Sequence, residues 1–315
     1  MSSIAPESAG SNSQAPSLSE VSPRDKPWDK HRAFADKVEG FYRSSSEFQG
    51  YGEKIHDCAD LLRFGLQLSD NDAVKLKLRS ARFCRLRHCP VCQWRRSLRW
   101  KAKAYKVLPR IVTTHPRHRW LFVTLTQKNV PITKLRETLI HMNASFARLV
   151  KLKAFPAEGW LRSTEVTRGK DGSAHPHFHC LLLVSPNYFS GRNYLKQAKW
   201  VEMWQKSARL DYNPILDVRS VREGSKPMEL VPELLKYCTK ESDLVADKEW
   251  FLELTRQMHG MKGVATGGLL KEYLRELEEE PDDLIGSDFD DIGTDELSVY
   301  FGWNRKSKKY KFIDS

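Results

Sequence analysis

Residues 172 to 184 read GSAHPHFHCLLLV, which sets His175, His177 and His179 at alternate positions in front of an unbroken apolar run. Alternation with a period of two belongs to a β-strand, where every second side chain shares a face. The three imidazoles then look out from one side of a sheet, and Phe178 and Cys180 point to the other side, toward a core. Two histidines two residues apart on a strand can hold one metal ion. A polar face that happens to carry histidines is the plainer account of a lone His, and it suits this repeated spacing less well. His175 stands before Pro176 as an extra ligand, a supporting group or a turn residue.

The neighbouring pattern supplies a partner for the pair. WLRSTEVTR (160–168) reads as a second strand, and GKDGSA between the two signals a hairpin through its Asp-Gly and flanking Gly. Glu165 then lies across the hairpin on the same face as His177 and His179. Two imidazoles and one carboxylate leave open positions on a divalent cation, which suits Lewis-acid work on a phosphate oxygen better than a closed structural site.

Upstream, Phe34, Val38 and Phe41 recur at helical spacing, and Ile55, Cys58 and Leu62 repeat it. VKLKLRS (74–80) alternates as a strand with a basic face, and RWLFVTLTQ (119–127) reads as a core strand. Pro131 opens an amphipathic helix bearing Ile132, Leu135, Leu139, Met142, Phe146 and Leu149. A helix around 194–206, a strand in PILDVRSVR, and helices in PELLKYCTKES, at 247–259 and at 267–280 follow. Interleaved helices and hairpin-joined strands predict an α+β fold with a mainly antiparallel sheet and a small zinc-binding module. The expected organisation is a disordered start (1–27), a helical and zinc-knuckle DNA-binding module (28–110), a catalytic domain (111–275), an acidic linker (276–299) and a basic aromatic hairpin (300–315).

FCRLRHCPVCQWRR carries Cys84, Cys89 and Cys92, and a Cys-x2-Cys turn holding a Pro aims both sulfurs at one point. Zinc wants four ligands; Cys58 is the expected fourth, with His88 a weaker candidate. Arg95, Arg96, Arg99 and Lys101 follow, interleaved with Trp94 and Trp100, and could grip phosphates while the rings stack on bases. Core packing explains the tryptophans equally well. Lys and Arg number 52 against 40 acidic residues, yet eleven of the acids lie between Glu276 and Glu296. The rest of the chain is therefore strongly basic, which points to a polyanionic partner. No apolar run approaches the length needed to span a bilayer, and the Ser- and Pro-rich start lacks a signal-peptide core, so a cytoplasmic protein without a membrane partner is expected. Its cysteines then read as thiols or metal ligands.

Glu233 and Tyr237 stand four apart in PELLKYCTKES, with Lys236 and Lys240 beside the tyrosine. A tyrosine hydroxyl is a covalent nucleophile where a base or positive field helps remove its proton. Taken alone, the spacing fits helix packing as well.

FVTLTQKN, HPHFHCLLLV and PELLKYCTKES, in that order after the cysteine cluster, resemble the single-tyrosine rolling-circle replication initiators of plasmids, members of the HUH endonucleases. The resemblance runs from about Cys58 to Lys240. It implies a five-stranded antiparallel sheet with packed helices, related to the RNA-recognition-motif fold. It implies Mg²⁺ or Mn²⁺ on His177, His179 and Glu165, Tyr237 as nucleophile, Lys240 as its companion, and Glu233 as the carboxylate that activates water to end replication. The expected substrate is single-stranded or hairpin-extruded origin DNA in a bacterial cytoplasm, with host helicase and polymerase as partners. The rivals are an HUH transposase or relaxase, and a noncatalytic zinc-dependent DNA-binding regulator.

Overall fold

The computed structural model describes residues 15–68, 74–221, 227–235, 239–277 and 298–313. The chain opens with α1 (Leu18–Val21), α2 (Pro27–Arg43) and α3 (Gln49–His56). Pro27 sits in the first turn of α2, where a missing N–H costs nothing. Strands β1 (Leu61–Leu68) and β2 (Val74–Ala81) pair antiparallel, and α4 (Pro90–Thr114) follows from an N-cap at Cys89. Next come β3 (Arg119–Thr126), α5 (Leu135–Leu149), β4 (Ala157–Arg168), β5 (Ala174–Val184), α6 (Gln197–Ala208) and β6 (Leu216–Ser220). The chain continues through α7 (Val231–Leu234), α8 (Glu241–Leu244), α9 (Lys248–Gln257), β7 (Val264–Gly268) and α10 (Leu269–Arg275). It ends in β8 (Ser298–Asn304) and β9 (Lys309–Ile313).

Two antiparallel sheets result, as the α+β expectation requires. The larger has five strands in the order β6-β3-β5-β4-β7, the smaller four in the order β2-β1-β8-β9. The large sheet is covered on both faces. Phe178, Cys180, Leu182 and Val184 of β5 pack on Met142, Phe146 and Leu149 of α5 and on Trp200, Met203 and Trp204 of α6. Leu181 and Leu183 pack the other way, on Ala104, Val107, Leu108 and Ile111 of α4 and on α7 and α10. His177 and His179 share that second face, where its apolar covering gives out.

Several elements depart from the sequence expectation. Residues 15–27 are ordered where the disordered start was expected: Ser17 and Leu18 are fully buried, and Phe312 N–H donates to the Pro16 carbonyl at 3.0 Å. Residues 1–14 lie outside the described residues. The helical pattern through Ile55, Cys58 and Leu62 stops at His56, because Leu62 enters β1 and pairs with Ala81 and Phe301. The terminal hairpin continues the small sheet through β1–β8 pairing rather than standing by itself. PELLKYCTKES is not one helix: α7 ends at Leu234, Leu235 leaves helical geometry, and Lys240 is extended before α8. The acidic segment lies outside the described residues from 278 to 297.

Leu182, 0 % exposed, fills the core between the sheet and α5–α6. Leu182→Ala is expected to lower the unfolding free energy by about 2–5 kcal/mol, measured by urea titration.

Candidate active site and metal centres

Register places the chemistry. Glu165 of β4 lies directly opposite His177 of β5, and Ser163 opposite His179, so all four side chains share one face. Thr124 of β3 faces His179 from the other side. Glu165 Oε2 stands 3.2 Å from His177 Nε2 and 2.9 Å from His179 Nε2, and all three residues are buried. Mg²⁺ or Mn²⁺ ligands at about 2.1 Å place neighbouring donors about 3 Å apart, which is this spacing.

The far ring nitrogen fixes the tautomer of neutral His177. His177 Nδ1 is 3.3 Å from the His175 carbonyl, which can only accept, so this nitrogen carries the proton. His179 Nδ1 is 3.3 Å from Thr124 Oγ1. In neutral His177 the lone pair on Nε2 therefore faces a carboxylate oxygen, an arrangement that calls for a cation or an added proton between them. Burial raises the Glu165 pKa, but the His177 and His179 imidazoles, which donate to it when protonated, outweigh burial and hold the carboxyl well below the usual carboxylate range. His175 contributes its carbonyl; its ring is partly buried and lies outside the convergent set.

The second centre is Cys58, Cys84, Cys89 and Cys92, whose ligand atoms all lie within 4.8 Å of one another. Sulfur separations are 3.7 Å for Cys58–Cys89 and 3.6 Å for both Cys58–Cys92 and Cys84–Cys92. Four thiolates about 2.3 Å from a zinc ion stand about 3.8 Å apart, so the residues fit a closed tetrahedral site. Cys58 completes the set and His88 does not. His88 is buried with neither ring nitrogen partnered among the described residues, and burial, aided by Arg87 and Arg96, pushes its pKa down to about 3.

Two of the helix-borne cations expected to meet DNA, Arg95 and Arg96, are occupied nearer home. Arg96 donates to the carbonyls of Arg85, Leu86 and Arg87 at 2.6, 2.9 and 3.2 Å, bracing the loop before the knuckle. Arg95 lies over the Trp28 and Phe83 rings at 5.4 and 5.9 Å. Arg99 and Lys101 are half-buried on α4, and burial lowers the Lys101 pKa.

Lys236 and Tyr237 lie outside the described residues. The approach to them is held. Ser163 Oγ donates to the Leu234 carbonyl at 2.5 Å and Ser97 Oγ of α4 to the Leu235 carbonyl at 2.6 Å, both buried. These hydroxyls take carbonyls that the end of α7 leaves open. Glu233 Oε1 is 3.1 Å from Arg219 Nη2, and Arg219 Nε is 2.8 Å from Asp217 Oδ2. Lys240 is exposed at the start of α8. Among the described helices none is long and apolar enough to cross a membrane.

Sequence reasoning missed Thr124 and Ser163. Both share the period-two face of a triad residue, Thr124 through FVTLTQ beside the histidine strand and Ser163 two positions before Glu165. That periodicity was the available signal.

A buried two-histidine, one-carboxylate group on an antiparallel sheet and a four-cysteine cluster could each hold a metal ion, in a chain of net basic charge. The replication protein family matches residues 75–311. A protein named Protein rep from Streptococcus pneumoniae serotype 2 is 32% identical over 298 residues, covering 91% of this chain and 92% of its own. A Protein rep from Lentilactobacillus hilgardii is 31% identical over 305 residues, 91% of this chain and 95% of its own. A Replication protein from Staphylococcus aureus is 34% identical over 226 residues, 66% of this chain and 96% of its own. No solved structure matches the chain. The chain belongs to the replication protein family and is a plasmid replication initiator.

Two measurements test the metal centres. Thr124→Ala is expected to weaken Mn²⁺ binding about tenfold by titration calorimetry, because the His179 ring loses the partner that orients it. Elemental analysis should find zinc at one per chain, and its removal by a chelator should lower the melting temperature of the wild type; Cys92→Ser should hold no zinc.

Proposed function

We propose that this initiator is a metal-dependent single-strand DNA nickase of the HUH type, with Tyr237 as nucleophile at the plasmid origin. The observation that carries the reading is the pairing of Glu165 Oε2 with two imidazoles whose Nε2 atoms converge on it. A divalent cation held there supplies Lewis-acid polarisation of the scissile phosphate. The anchoring of α7 by Ser163, next to the same three residues, brings the approach to Tyr237 to the face that carries them.

Tyr237 attacks the phosphorus in line, the bond to the 3′-oxygen breaks, and the phenolic proton is lost. The departing oxygen takes up a proton and is the free 3′-OH that primes synthesis, while the 5′-phosphate stays on the tyrosine. Lys240 and Lys236 favour the phenolate by their charge. Glu233, positioned by Arg219, takes the proton of the water that ends the round. A buried site cannot reach a phosphate inside an intact duplex, so the substrate is single-stranded or extruded. Zinc on the four cysteines is structural. Host helicase and polymerase act on the exposed 3′ end.

Incubation with single-stranded origin DNA and Mn²⁺, followed by a denaturing gel, should show a covalent adduct in the wild type and in Glu233→Ala, and none in Tyr237→Phe. Absence of an adduct from every origin-derived strand, with DNA binding intact, favours a noncatalytic regulator instead. Ser163→Ala should slow single-turnover adduct formation by about 10- to 100-fold at full amplitude, because misplacing the nucleophile by an ångström costs that much. Ser163→Thr, which keeps the hydroxyl, should restore much of the rate.

A further inference from the structure

The small sheet has one face in the protein and one face in solvent. Leu62, Phe64, Leu76, Phe301 and Tyr310 point inward and are buried. The alternate positions point outward, and the strand register groups them. Lys75 lies opposite Gln67, Lys77 opposite Gly65, Arg63 opposite Tyr300, Lys311 opposite Gly302 and Lys309 opposite Asn304. Arg79 sits at the bulge beside Arg63, and Lys75, Lys77, Arg79 and Lys309 are exposed.

Six cations therefore share this face: Arg63, Lys75, Lys77, Arg79, Lys309 and Lys311. None of the described outward positions on the four strands is Asp or Glu. Surfaces that serve only solubility mix the two signs. Lys309 has a partner in Glu20 at 3.6 Å, and Lys311 donates to the Ala15 carbonyl. Lys75 and Lys77 have no carboxylate partner among the described residues. Both are long cations held on a strand whose inner side chains are fixed in a core, so the charge is presented from a rigid platform.

We propose that the outer face of this sheet is a docking surface for duplex DNA, separate from the site that cuts a single strand. Three observations favour a duplex. The charge on the described outward strand positions is of one sign, complementary to a polyphosphate. Successive outward side chains on a strand stand about 6.7 Å apart, two base-pair rises of about 3.4 Å, so a row of cations keeps step with a regular phosphate backbone. The described outward positions also lack the row of exposed aromatic rings on which single strands stack, Tyr300 being the one aromatic residue among them, and that one partly buried. Furthermore, two of the cations on α4, Arg95 and Arg96, are engaged with Trp28, Phe83 and the carbonyls of residues 85–87. An initiator that cuts an extruded strand must also hold the flanking duplex, and this face supplies the grip without sequence readout.

The test is the salt dependence of binding to a 30-base-pair duplex, without divalent metal, for the full-length protein and its Lys75→Ala/Lys77→Ala/Arg79→Ala variant. Each phosphate that the variant no longer neutralises reduces the slope of log K against log salt by about 0.9, so the slope should flatten by about two to three. Affinity at low salt should fall at least tenfold, and the melting temperature should stay unchanged. Adduct formation on a single-stranded origin oligonucleotide should run at the wild-type rate. An unchanged slope on the duplex would overturn the proposal, as would an equal loss of affinity for single strands. So would an equal flattening by Lys151→Ala/Lys153→Ala, two exposed lysines elsewhere, since that would trace the effect to net charge. The binding readout involves no nicking, so it stands or falls independently of Tyr237.

Discussion

Everything at the Glu165–His177–His179 triad depends on the pairing register of β4 with β5. A one-residue slip in an antiparallel hairpin turns every side chain to the opposite face. Glu165 would then look into the core with Phe146 and Trp204, and the two imidazoles would face Thr164 and Val166. The register is enforced from the other side of the sheet, where Phe178, Cys180, Leu182 and Val184 have a close-packed home against α5 and α6. Apolar burial thus chooses the alignment, and the polar triad benefits from a choice made elsewhere. A strained spot nearby, Gly268 with φ of +56°, lets β7 turn into α10 against the Glu158 carbonyl and closes the sheet's far edge.

The site also shows how a reactive carboxylate is kept ionised inside a protein. Glu165 is 4 % exposed, a place where a lone carboxyl would prefer its proton. Two imidazoles reverse that preference, and they are themselves oriented by the His175 carbonyl and by Thr124. The chain of donors runs outward from the carboxylate across three strands, so the geometry is a property of the sheet rather than of a loop.

The triad was legible in the sequence because strand alternation is local: HPHFH and STEVT each announce a face, and a Gly-containing hairpin joins them. The same holds for the long amphipathic run of Leu135 to Leu149 and for the cysteine knuckle. What was not legible is nonlocal. Nothing near Leu62 says that it will pair with Phe301, and nothing in the Ser-rich start says that Leu18 will be buried against β9. The break after Leu234 is another case: helix propensity runs on through PELLKYCTKES, but Ser97 and Ser163, far away in sequence, take the carbonyls that a continuing helix would use. Arg95 and Arg96 looked like phosphate ligands for the same reason, since their aromatic and carbonyl partners come from Trp28, Phe83 and a preceding loop. The face, residue types and spacing were readable; the partners required the fold.

α4 has 25 residues and so runs about 37 Å at about 1.5 Å per residue. Its first turn carries two of the four cysteines, its middle offers Ser97 to the Leu235 carbonyl, and its last turns lie on the large sheet. One helix thus spans parts that the sequence assigned to two domains divided at residue 110. Buried His31, hydrogen-bonded to Glu241 and stacked on Trp94 at 4.6 Å, adds a second strut from α2 to the chain just beyond Lys240. The cysteine end and the sheet end are thus two ends of one helix, and Ser97 between them joins it to the chain leading to Tyr237. Cutting the gene at residue 110 would saw through the beam that holds the roof.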